Sequence, residues 1–375
     1  MEANKTIRVL QVGMSPYFGG TESFIMNQYR ALDKSRVQFD FLNVYEEKIA
    51  CQDEIEALGG NIYYLNMSRR NGIKAYYKNL DEFFKKYAHN FQAVHCNFQS
   101  LINIDVLKYA KKYGIKVRIA HAHNAGYGTE PSKVQKMIIL SNRVLLPRYA
   151  TEYFACSTLA ASWMFGRNAT VVNNAIDAGK FTFCEDTRNK VRETHKLENS
   201  FVIMFVGRLD PQKNPVFLLE VFAEVKKIKP NAKLLVVGDG VLKNEMLAKI
   251  QQLNIQESVE MLGSRSDVNE LLQGADAFLL PSVFEGLGIV LIEAQAAGLK
   301  TFTSEKVVPG SVKVTDLLEF ISLEKSAEEW AEVIAANSDY ERANTTSLIK
   351  SAGYDNDENA RILSERYINL TEGSL

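Results

Sequence analysis

The sequence contains few cysteines and no long apolar segment. Its four cysteines, Cys51, Cys96, Cys156 and Cys184, form no CxxC pair, and no set of histidines lies near them at the spacing of a zinc site. This pattern argues against a disulfide framework and a structural metal, and it is typical of a reducing compartment. No run of about 18 apolar residues occurs, and the short apolar stretch near the start is strand-like. We therefore expect neither a membrane-spanning helix nor a signal peptide, and a cytoplasmic location.

The net charge is also small, −1 over 375 residues, but the charges are unevenly distributed. Residues 1–180 carry 23 Lys and Arg against 15 Asp and Glu, whereas the rest of the chain carries 21 against 30. A basic first half suits an anionic acceptor or an anionic membrane surface, although uneven surface charge can also have no function. Because the chain as a whole is not basic, we expect no nucleic-acid partner.

Strand-like and helix-like patterns alternate along the chain. The apolar run Ile7–Val12 leads into a glycine-rich turn and a helical pattern, and Phe201–Val206 opens the second half in a similar way. Such alternation predicts parallel sheets covered by helices. A length of 375 residues suits two domains better than one. The sequence therefore predicts an α/β fold with two Rossmann-like domains whose parallel sheets face an interdomain cleft.

The polar stretch Asp177–Ser200 interrupts this alternation and marks the predicted domain boundary. We place the domains at residues 1–180 and 181–355. A helical pattern within residues 356–375 closes the chain, and this helix could cross back to the first domain. Asp355–Asp357 has the DxD form but lies in a polar stretch, so we interpret it as a loop or helix cap rather than a metal site.

The strongest motif lies where a strand ends and a helix is predicted over Gly288–Ala297. Glu285 precedes a Gly-Leu-Gly turn, and Glu293 lies about two helical turns, roughly 12 Å, further along. Free helix amides bind phosphate, and glycines let a diphosphate approach the backbone. Carboxylates on both sides can accept hydrogen bonds from hydroxyls at the two ends of a nucleotide-sugar. The turn consists of Gly286, Leu287 and Gly288.

A second motif follows the strand Phe201–Val206, at the carboxyl edge of the second predicted sheet, where ligands bind in such folds. It contains Gly207, Arg208 and, five residues after the arginine, Lys213. Both cations could reach one diphosphate and neutralise the charge that grows on it as it leaves, without a metal ion. We therefore predict no metal and no cofactor besides the nucleotide-sugar, which is a co-substrate.

Two weaker motifs lie in the first half. Gly19 and Gly20 form a turn after the first strand, but this turn does not fit the GxGxxG pattern of NAD-binding proteins. His121 and His123 follow another strand and would lie on one side if that strand continues, and His95 has a similar strand-end position. A histidine in a cleft can bind hydroxyls or transfer a proton, although each of these histidines could instead be structural.

Together these motifs resemble the signature of family 4 retaining glycosyltransferases, which have the GT-B fold, of the bacterial capsule and exopolysaccharide type. The resemblance covers nearly the whole chain and is most specific over residues 201–298. It implies that Glu285 contacts the transferred sugar and Glu293 the ribose, while amides of the Gly-Leu-Gly turn line the diphosphate. By the same resemblance, Arg208 and Lys213 hold the donor phosphates.

The resemblance also implies roles for the weaker motifs. The loop with Gly19 and Gly20 would lie against the donor diphosphate and the acceptor. One strand-end histidine would lie near the donor sugar, with His121 as our first choice, His123 as the second and His95 as the third.

Two further segments resemble elements of the family. Gly263–Val268 is similar to the loop that borders the nucleotide base, which makes Arg265 a donor-binding candidate. Residues 173–181 are similar to an interdomain element in which Ala175 replaces the usual glycine. By the resemblance, the first domain binds the acceptor and the second binds the nucleotide-sugar.

The predicted activity is retaining transfer of a hexosyl or N-acetylhexosaminyl group from a nucleotide-sugar to a saccharide or lipid-linked saccharide. We expect a UDP-sugar as donor. One alternative is an enzyme like a nucleotide-sugar epimerase, which would need acid and base carboxylates. Another is a non-catalytic subunit of a transferase complex that binds the sugar nucleotide. The paired carboxylates and cations favour transfer, and the sequence leaves the acceptor and the oligomeric state open.

Basic segments of the first half of the chain indicate where the protein could bind its acceptor. Residues 69–87 mix cations with aromatic residues, and residues 132–148 place four cations around an apolar stripe, namely Lys133, Lys136, Arg143 and Arg148. An amphipathic basic helix can lie on an anionic bilayer, which would bring the protein to the inner face of the cell membrane. Alternatively, the stripe packs on the sheet and the cations are solvated.

Overall fold

The computed structural model describes residues 6–65, 72–127 and 130–373. The chain divides into two compact units, one formed by Met1–Ala175 with Asn356–Leu375 and the other by Ile176–Asp355. Each unit contains a parallel β-sheet flanked by helices. The expected α/β fold with two Rossmann-like domains is therefore confirmed.

The first unit is built on a parallel sheet. Its strands are β1 (Ile7–Val12), β2 (Val37–Asn43), β3 (Ile62–Tyr64), β4 (Ala93–Phe98), β5 (Val117–Ala122), β6 (Glu152–Ala155) and β7 (Thr170–Val171). They lie in the order β3-β2-β1-β4-β5-β6-β7 within the described residues. The helices between them are α1 (Gly20–Ala31), α2 (Gln52–Ala57), α3 (Ile73–Tyr87), α4 (Asp105–Lys112), α5 (Lys133–Leu145) and α6 (Thr158–Phe165).

The second unit repeats this plan with a second parallel sheet. Its helices are α7 (Ala178–Phe181), α8 (Glu185–Thr194), α9 (Pro215–Ile228), α10 (Lys243–Gln252), α11 (Val268–Gly274), α12 (Ile289–Ala296), α13 (Ala327–Ala336) and α14 (Thr346–Ile349). Its strands are β8 (Phe201–Val206), β9 (Ala232–Val237), β10 (Val259–Gly263), β11 (Ala277–Leu280), β12 (Lys300–Ser304) and β13 (Leu318–Ile321). The strand order is β10-β9-β8-β11-β12-β13.

Each sheet reverses its strand order next to its first strand. In the first unit β1 pairs with both β2 and β4, and in the second unit β8 pairs with both β9 and β11. The loops after the two central strands then turn to opposite faces of the sheet and leave a crevice at its carboxyl edge. This topology positions a ligand site in each unit.

The last helix, α15 (Asn356–Glu372), belongs to the first unit. Ala360, Leu363 and Tyr367 recur every three or four residues, so they lie on one face of the helix. That face is buried in the hydrophobic core of the first unit, with α1 and the first two strands. Burial of this stripe fixes the helix to the sheet.

Several elements differ from the sequence expectations. The helix expected from residue 102 begins at Asp105. The side chain of Asn103 accepts a hydrogen bond from the Asp105 amide at 2.8 Å and forms a turn directly before α4. The helix expected from Gly288 begins at Ile289, since Gly288 has a left-handed φ of 82°. Sequence patterns did not indicate α2, α6, α10 or β13. Of these, α2 and β13 are too short to show a strong period.

No described helix combines the length and the apolar character that crossing a bilayer would require.

Candidate functional site

Two loops at the carboxyl edge of the second sheet carry the strongest motifs. One follows β8 and contains Gly207, Arg208 and Lys213, and the other connects β11 to α12 and contains Glu285. Because β8 and β11 are neighbours at the reversal of strand order, the two loops lie side by side. The topology thus brings together motifs that are far apart in sequence.

A glycine after β9 allows the loop after β8 to pack closely. The amide of Gly207 donates to the carbonyl oxygen of Val237 at 3.0 Å. Gly238 has a φ of +135°, and a Cβ at this position would lie 1.9 Å from the carbonyl oxygen of Gly207. A residue with a side chain would therefore displace the loop that carries Arg208.

Lys213 and Glu285 form a buried ion pair. Nζ of Lys213 lies 2.5 Å from Oε1 of Glu285, and Oγ of Ser282 donates to the same oxygen at 2.6 Å. Glu285 is only 3% exposed, so these charged and neutral donors compensate for the desolvation of its carboxylate. Residues assigned to the sugar and to the phosphates are thus in direct contact, and Ser282 was not identified from the sequence.

Gln212 connects this pair to Arg208. Its Nε2 donates to the carbonyl oxygen of Phe284 at 3.2 Å and approaches Glu285 at 3.5 Å, while its Oε1 accepts from Arg208 at 3.4 Å. The Arg208 side chain is still 60% exposed, with Asp210 as an ion-pair partner at 3.3 Å. Its guanidinium group is therefore accessible to an anion from solvent.

Arg265 has a different environment from Arg208. It lies on the loop after the edge strand β10, where its guanidinium group binds both carboxylate oxygens of Asp267 at 2.8 and 2.5 Å. This bidentate pair holds the side chain on its own loop. The structure therefore groups Arg208, Lys213 and Glu285, while Arg265 is paired separately.

Glu293 is half-buried on α12, after the turn of Gly286, Leu287 and Gly288. Desolvation by the surrounding protein raises the pKa of its carboxyl to about 7. Within the described part of the chain, its carboxylate has neither a hydrogen bond nor an ion pair. A carboxylate of this kind retains its capacity to accept hydrogen bonds from ligand hydroxyls.

In the first unit, the turn after β1 leads into α1 at Gly20, with Gly19 as the N-cap residue. The carboxylate of Glu22 accepts hydrogen bonds from the amide and the hydroxyl of Ser15, at 2.9 and 2.8 Å, and so closes the turn. A Cβ on Gly20 would meet no atom within 4 Å. The first turn of α1 is therefore open on the side of Gly20.

The three strand-end histidines meet in one buried group, the histidine cluster of His95, His121 and His123. Nε2 of His95 lies 2.9 Å from Nδ1 of His121, and the rings of His121 and His123 are 4.0 Å apart. The ring of Phe24 lies 5.0 Å from both His121 and His123. His95 and His121 are completely buried, and His123 is 9% exposed.

Burial dominates the electrostatics of the histidine cluster. It lowers the pKa of His95 and of His123 to about 3, and it lowers the pKa of His121 well below the usual value. The three imidazoles are therefore neutral at physiological pH. Tyr367, which contacts His95, was not identified from the sequence because it lies at the other end of the chain.

Helix α5 exposes an apolar stripe. Val134, Met137, Leu140 and Val144 are 66%, 73%, 61% and 71% exposed, and only Ile139 and Asn142 of this helix are buried. The expectation that this stripe could pack on the sheet is therefore wrong for those four side chains.

Lys133 and Lys136 are exposed on the same helix, so α5 presents cations as well as the apolar stripe, whereas Arg143 donates to the carbonyl oxygen of Trp163 at 2.6 Å. Of the other basic segment, Arg69 and Arg70 lie outside the described residues.

The acidic DxD segment lies at the start of α15. Asp355 forms an ion pair with Lys350 at 2.8 Å and directly precedes the helix. Among the residues described, no group of three or more His, Cys, Asp or Glu side chains is arranged to hold a metal ion.

Comparison with protein families identifies a relationship for the second half of the chain. Residues 186–345 match the family model of glycosyl transferases group 1. A glycosyltransferase of Bacillus subtilis (strain 168) named EpsF is 30% identical over 97% of this chain and 97% of its own length. An Escherichia coli enzyme, UDP-Gal:alpha-D-GlcNAc-diphosphoundecaprenol alpha-1,3-galactosyltransferase, is 34% identical over 36% of each chain.

Solved structures show the same architecture. The crystal structure of Anabaena HepE in complex with UDP and glucose aligns with a TM-score of 0.72 over 98% of both chains, at 16% sequence identity. Sucrose-phosphate synthase from Thermosynechococcus elongatus aligns with a TM-score of 0.76 over 98% of this chain and all of its own, also at 16% identity. The GT-B fold is therefore confirmed.

Proposed function

This chain belongs to the group 1 glycosyl transferases, and we propose that it is a retaining enzyme of cell-surface polysaccharide synthesis. In this proposal it moves a hexosyl or N-acetylhexosaminyl group from a UDP-sugar to a saccharide or a lipid-linked saccharide. Glycosyl transfer itself follows from membership of the family. The donor, the acceptor and the stereochemistry are inferred from the site and from what the relatives use.

The charge arrangement beside the β11–α12 loop carries the proposal. Arg208 is exposed to solvent, and Gln212 connects it to the Lys213–Glu285 pair. Helix α12 begins directly after the glycine turn. This combination suits a diphosphate, which binds to several positive charges and to the N-terminus of a helix. We propose that Glu285 and Glu293 bind the hydroxyls of the sugar and of the ribose on the two sides of this phosphate.

In the proposed reaction, the bond between the anomeric carbon and the diphosphate oxygen breaks, and its electron pair leaves with the diphosphate. The acceptor oxygen forms the new bond on the same face, and its proton passes to the departing phosphate. Arg208 and Lys213 stabilise the charge that develops there. Because these two cations provide that stabilisation, we propose that the reaction needs no metal ion or further cofactor.

The comparisons support the choice of donor and acceptor. The structurally similar HepE binds UDP, and the related E. coli enzyme uses UDP-Gal and acts on a diphosphoundecaprenol-linked sugar. Both support a uridine diphosphate donor for this chain, and the E. coli enzyme also supports a lipid-linked acceptor.

Nucleotide binding tests the site assignment. We expect UDP to raise the melting temperature of the native chain, and Arg208→Ala and Glu293→Ala to remove most of this increase, since a ligand stabilises only the state that binds it. Lys227→Ala is the matched control, because Lys227 is an exposed cation on α9 that pairs with Glu224. If no nucleotide stabilises the native chain, or if Arg208→Ala responds like Lys227→Ala, the assignment is wrong.

Product analysis tests the reaction. With a UDP-sugar and a lipid-linked saccharide, we expect free UDP and a longer saccharide whose new linkage keeps the anomeric configuration of the donor, measured by NMR. An epimerase-like enzyme would instead return a changed sugar still attached to its nucleotide. Inversion of configuration would exclude the retaining course but leave glycosyl transfer intact.

We also propose that α5 docks on the cytoplasmic face of an anionic membrane, where a lipid-linked acceptor would be found. The exposed stripe of Val134, Met137, Leu140 and Val144 can enter the boundary of the acyl chains, while cations of the same helix meet anionic headgroups. Charge complementarity with the basic first half favours a bilayer over a protein partner.

Liposome flotation tests the docking of α5. Vesicles rich in phosphatidylglycerol should carry the native chain at low salt, and Met137→Ser with Val144→Ser should release it. Val241→Ser is the matched control, because Val241 is 83% exposed but lies in the second unit. Equal flotation of the double variant and the native chain would contradict the proposal, as would absence of native binding at low salt.

A further inference from the structure

We propose that Tyr367, on α15, is a positioning residue. Through His95 it fixes which nitrogen of His121 carries the proton, so that the histidine cluster presents one hydrogen-bond donor next to one acceptor. The hydroxyl that this pair would bind belongs to a substrate, so that part rests on the proposed function. The order of protons within the cluster does not depend on it.

The direction of the hydrogen bonds is set by a backbone carbonyl. Nδ2 of Asn97 lies 3.1 Å from the carbonyl oxygen of Val12, which can only accept, so the orientation of the Asn97 amide is determined. The same Nδ2 donates to Oε1 of Gln11 at 3.0 Å. Gln11 must then turn its Nε2 to Tyr367, whose hydroxyl oxygen accepts at 3.3 Å.

Within the described residues, the Tyr367 hydroxyl contacts only Gln11, which donates to it, and Nδ1 of His95 at 2.5 Å, so its proton is directed to His95. A neutral imidazole has one N–H and one lone pair, so His95 carries its proton on Nε2. That nitrogen donates to Nδ1 of His121 at 2.9 Å. His121 in turn carries its own proton on Nε2.

The same Asn97 amide also determines which nitrogen of His123 carries the proton. Oδ1 of Asn97 is an acceptor, and it lies 2.8 Å from Nε2 of His123, which must carry the proton. Nδ1 of His123 is therefore a lone pair. Nε2 of His121 is therefore a donor and Nδ1 of His123 an acceptor. The centres of the two rings are 4.0 Å apart.

These two nitrogens point to a ligand. Neither Nε2 of His121 nor Nδ1 of His123 has a hydrogen-bond partner in the described ranges, although both atoms are buried. Buried polar atoms are nearly always paired, and an unpaired donor beside an unpaired acceptor complements one hydroxyl, which donates once and accepts once. Without the Tyr367 hydroxyl, the protons of His95 and His121 could both lie on Nδ1. Nε2 of His121 and Nδ1 of His123 would then be two acceptors.

Nitrogen NMR of histidine-labelled full-length protein tests the proton order directly. In the native chain, His95, His121 and His123 should all carry the proton on Nε2. Tyr367→Phe should give His121 a substantial population with the proton on Nδ1. Tyr29→Phe is the matched control, because Tyr29 lies in the same hydrophobic core but bonds to Gln38 and Leu58. It should leave all three histidines unchanged.

Kinetics test the consequence for the reaction. Tyr367→Phe should lower kcat/KM for transfer by about tenfold, the loss expected for one misdirected hydrogen bond, while Tyr29→Phe should change it less than about twofold. If Tyr367→Phe does not fold, Gln11→Leu removes the donor that orients the Tyr367 hydroxyl and should change the His121 spectrum in the same direction but by less, since the hydroxyl remains.

The two proposals fail in different ways. Native His121 with its proton on Nδ1, or a spectrum of Tyr367→Phe identical to the native one, would overturn the role of Tyr367. A native chain that transfers no sugar but shows the expected proton order would refute the proposed function and leave the tautomer assignment standing.

Discussion

At the scale of single residues, Glu293 connects stability to function. Its carboxyl has a pKa of about 7 in the folded chain, whereas an unfolded glutamate titrates near pH ~4.3. The folded state therefore holds a proton that the unfolded state has lost, between roughly pH 4.3 and 7. The contribution of Glu293 to the free energy of unfolding is therefore fully present below this pH interval, and it is lost as the pH rises through the interval.

We therefore expect Glu293→Gln to be more stable than the native chain at pH 8, by up to about 3 kcal/mol, and equal to it near pH 4. Urea unfolding across this pH range measures the difference. Glu332→Gln, an exposed glutamate on α13, should show no such dependence. A constant offset between Glu293→Gln and the native chain would contradict the raised pKa.

The Lys213–Glu285 pair gives a second prediction at this scale. Both side chains are shielded from solvent, so Glu285→Ala should destabilise the chain by about 3 kcal/mol because Lys213 loses its partner. The double variant Lys213→Met with Glu285→Ala removes both charges. Its loss of unfolding free energy should be smaller than the sum of the losses in the two single variants.

A double-mutant cycle from urea unfolding measures this coupling. The exposed pair Lys227–Glu224 is the matched control and should couple by less than about 1 kcal/mol. Additive effects at Lys213 and Glu285 would show that the ion pair contributes little to the site.

At the scale of elements, α15 holds part of the candidate site although it is the last helix of the chain. Leu363 is 2% exposed in the core of the first unit, whereas its neighbour Ile362 is 46% exposed. We expect Leu363→Ala to destabilise the chain by about 2–5 kcal/mol and Ile362→Ala by less than about 0.5 kcal/mol. Thermal or urea unfolding of the two variants measures the contrast, and equal effects would mean that the buried face of α15 is assigned wrongly.

At the scale of the whole molecule, the donor residues are concentrated in one unit. Arg208, Lys213, Glu285 and Glu293 all belong to Ile176–Asp355. Hydrogen exchange of the full chain with UDP should therefore show protection first in residues 207–214 and 281–293, because bound phosphate engages those amides. Protection confined to the first unit would contradict the assignment of the donor site.

The fold was predictable from the sequence because its signals are local. Apolar runs such as Ile7–Val12 and Phe201–Val206 are each followed by a turn and a helix, and this alternation leaves little choice besides parallel sheets. The glycine turn before α12 was predictable for the same reason, since a strand end, a glycine and a helix start lie within a few residues. Short elements such as α2 and β13 were missed, since so few residues show no clear period.

The sequence by itself determined the two sheets, the glycine turn and the types of residue available for a phosphate site, because these depend on neighbours along the chain. Only the tertiary structure decided which side chains meet. Lys213 and Glu285 are 72 residues apart, and Tyr367 and His95 are 272 apart. The first pair meets because β8 and β11 are adjacent strands, and the second because α15 returns to the core of the first unit. Neither contact leaves a local pattern, since each depends on strand order and helix packing.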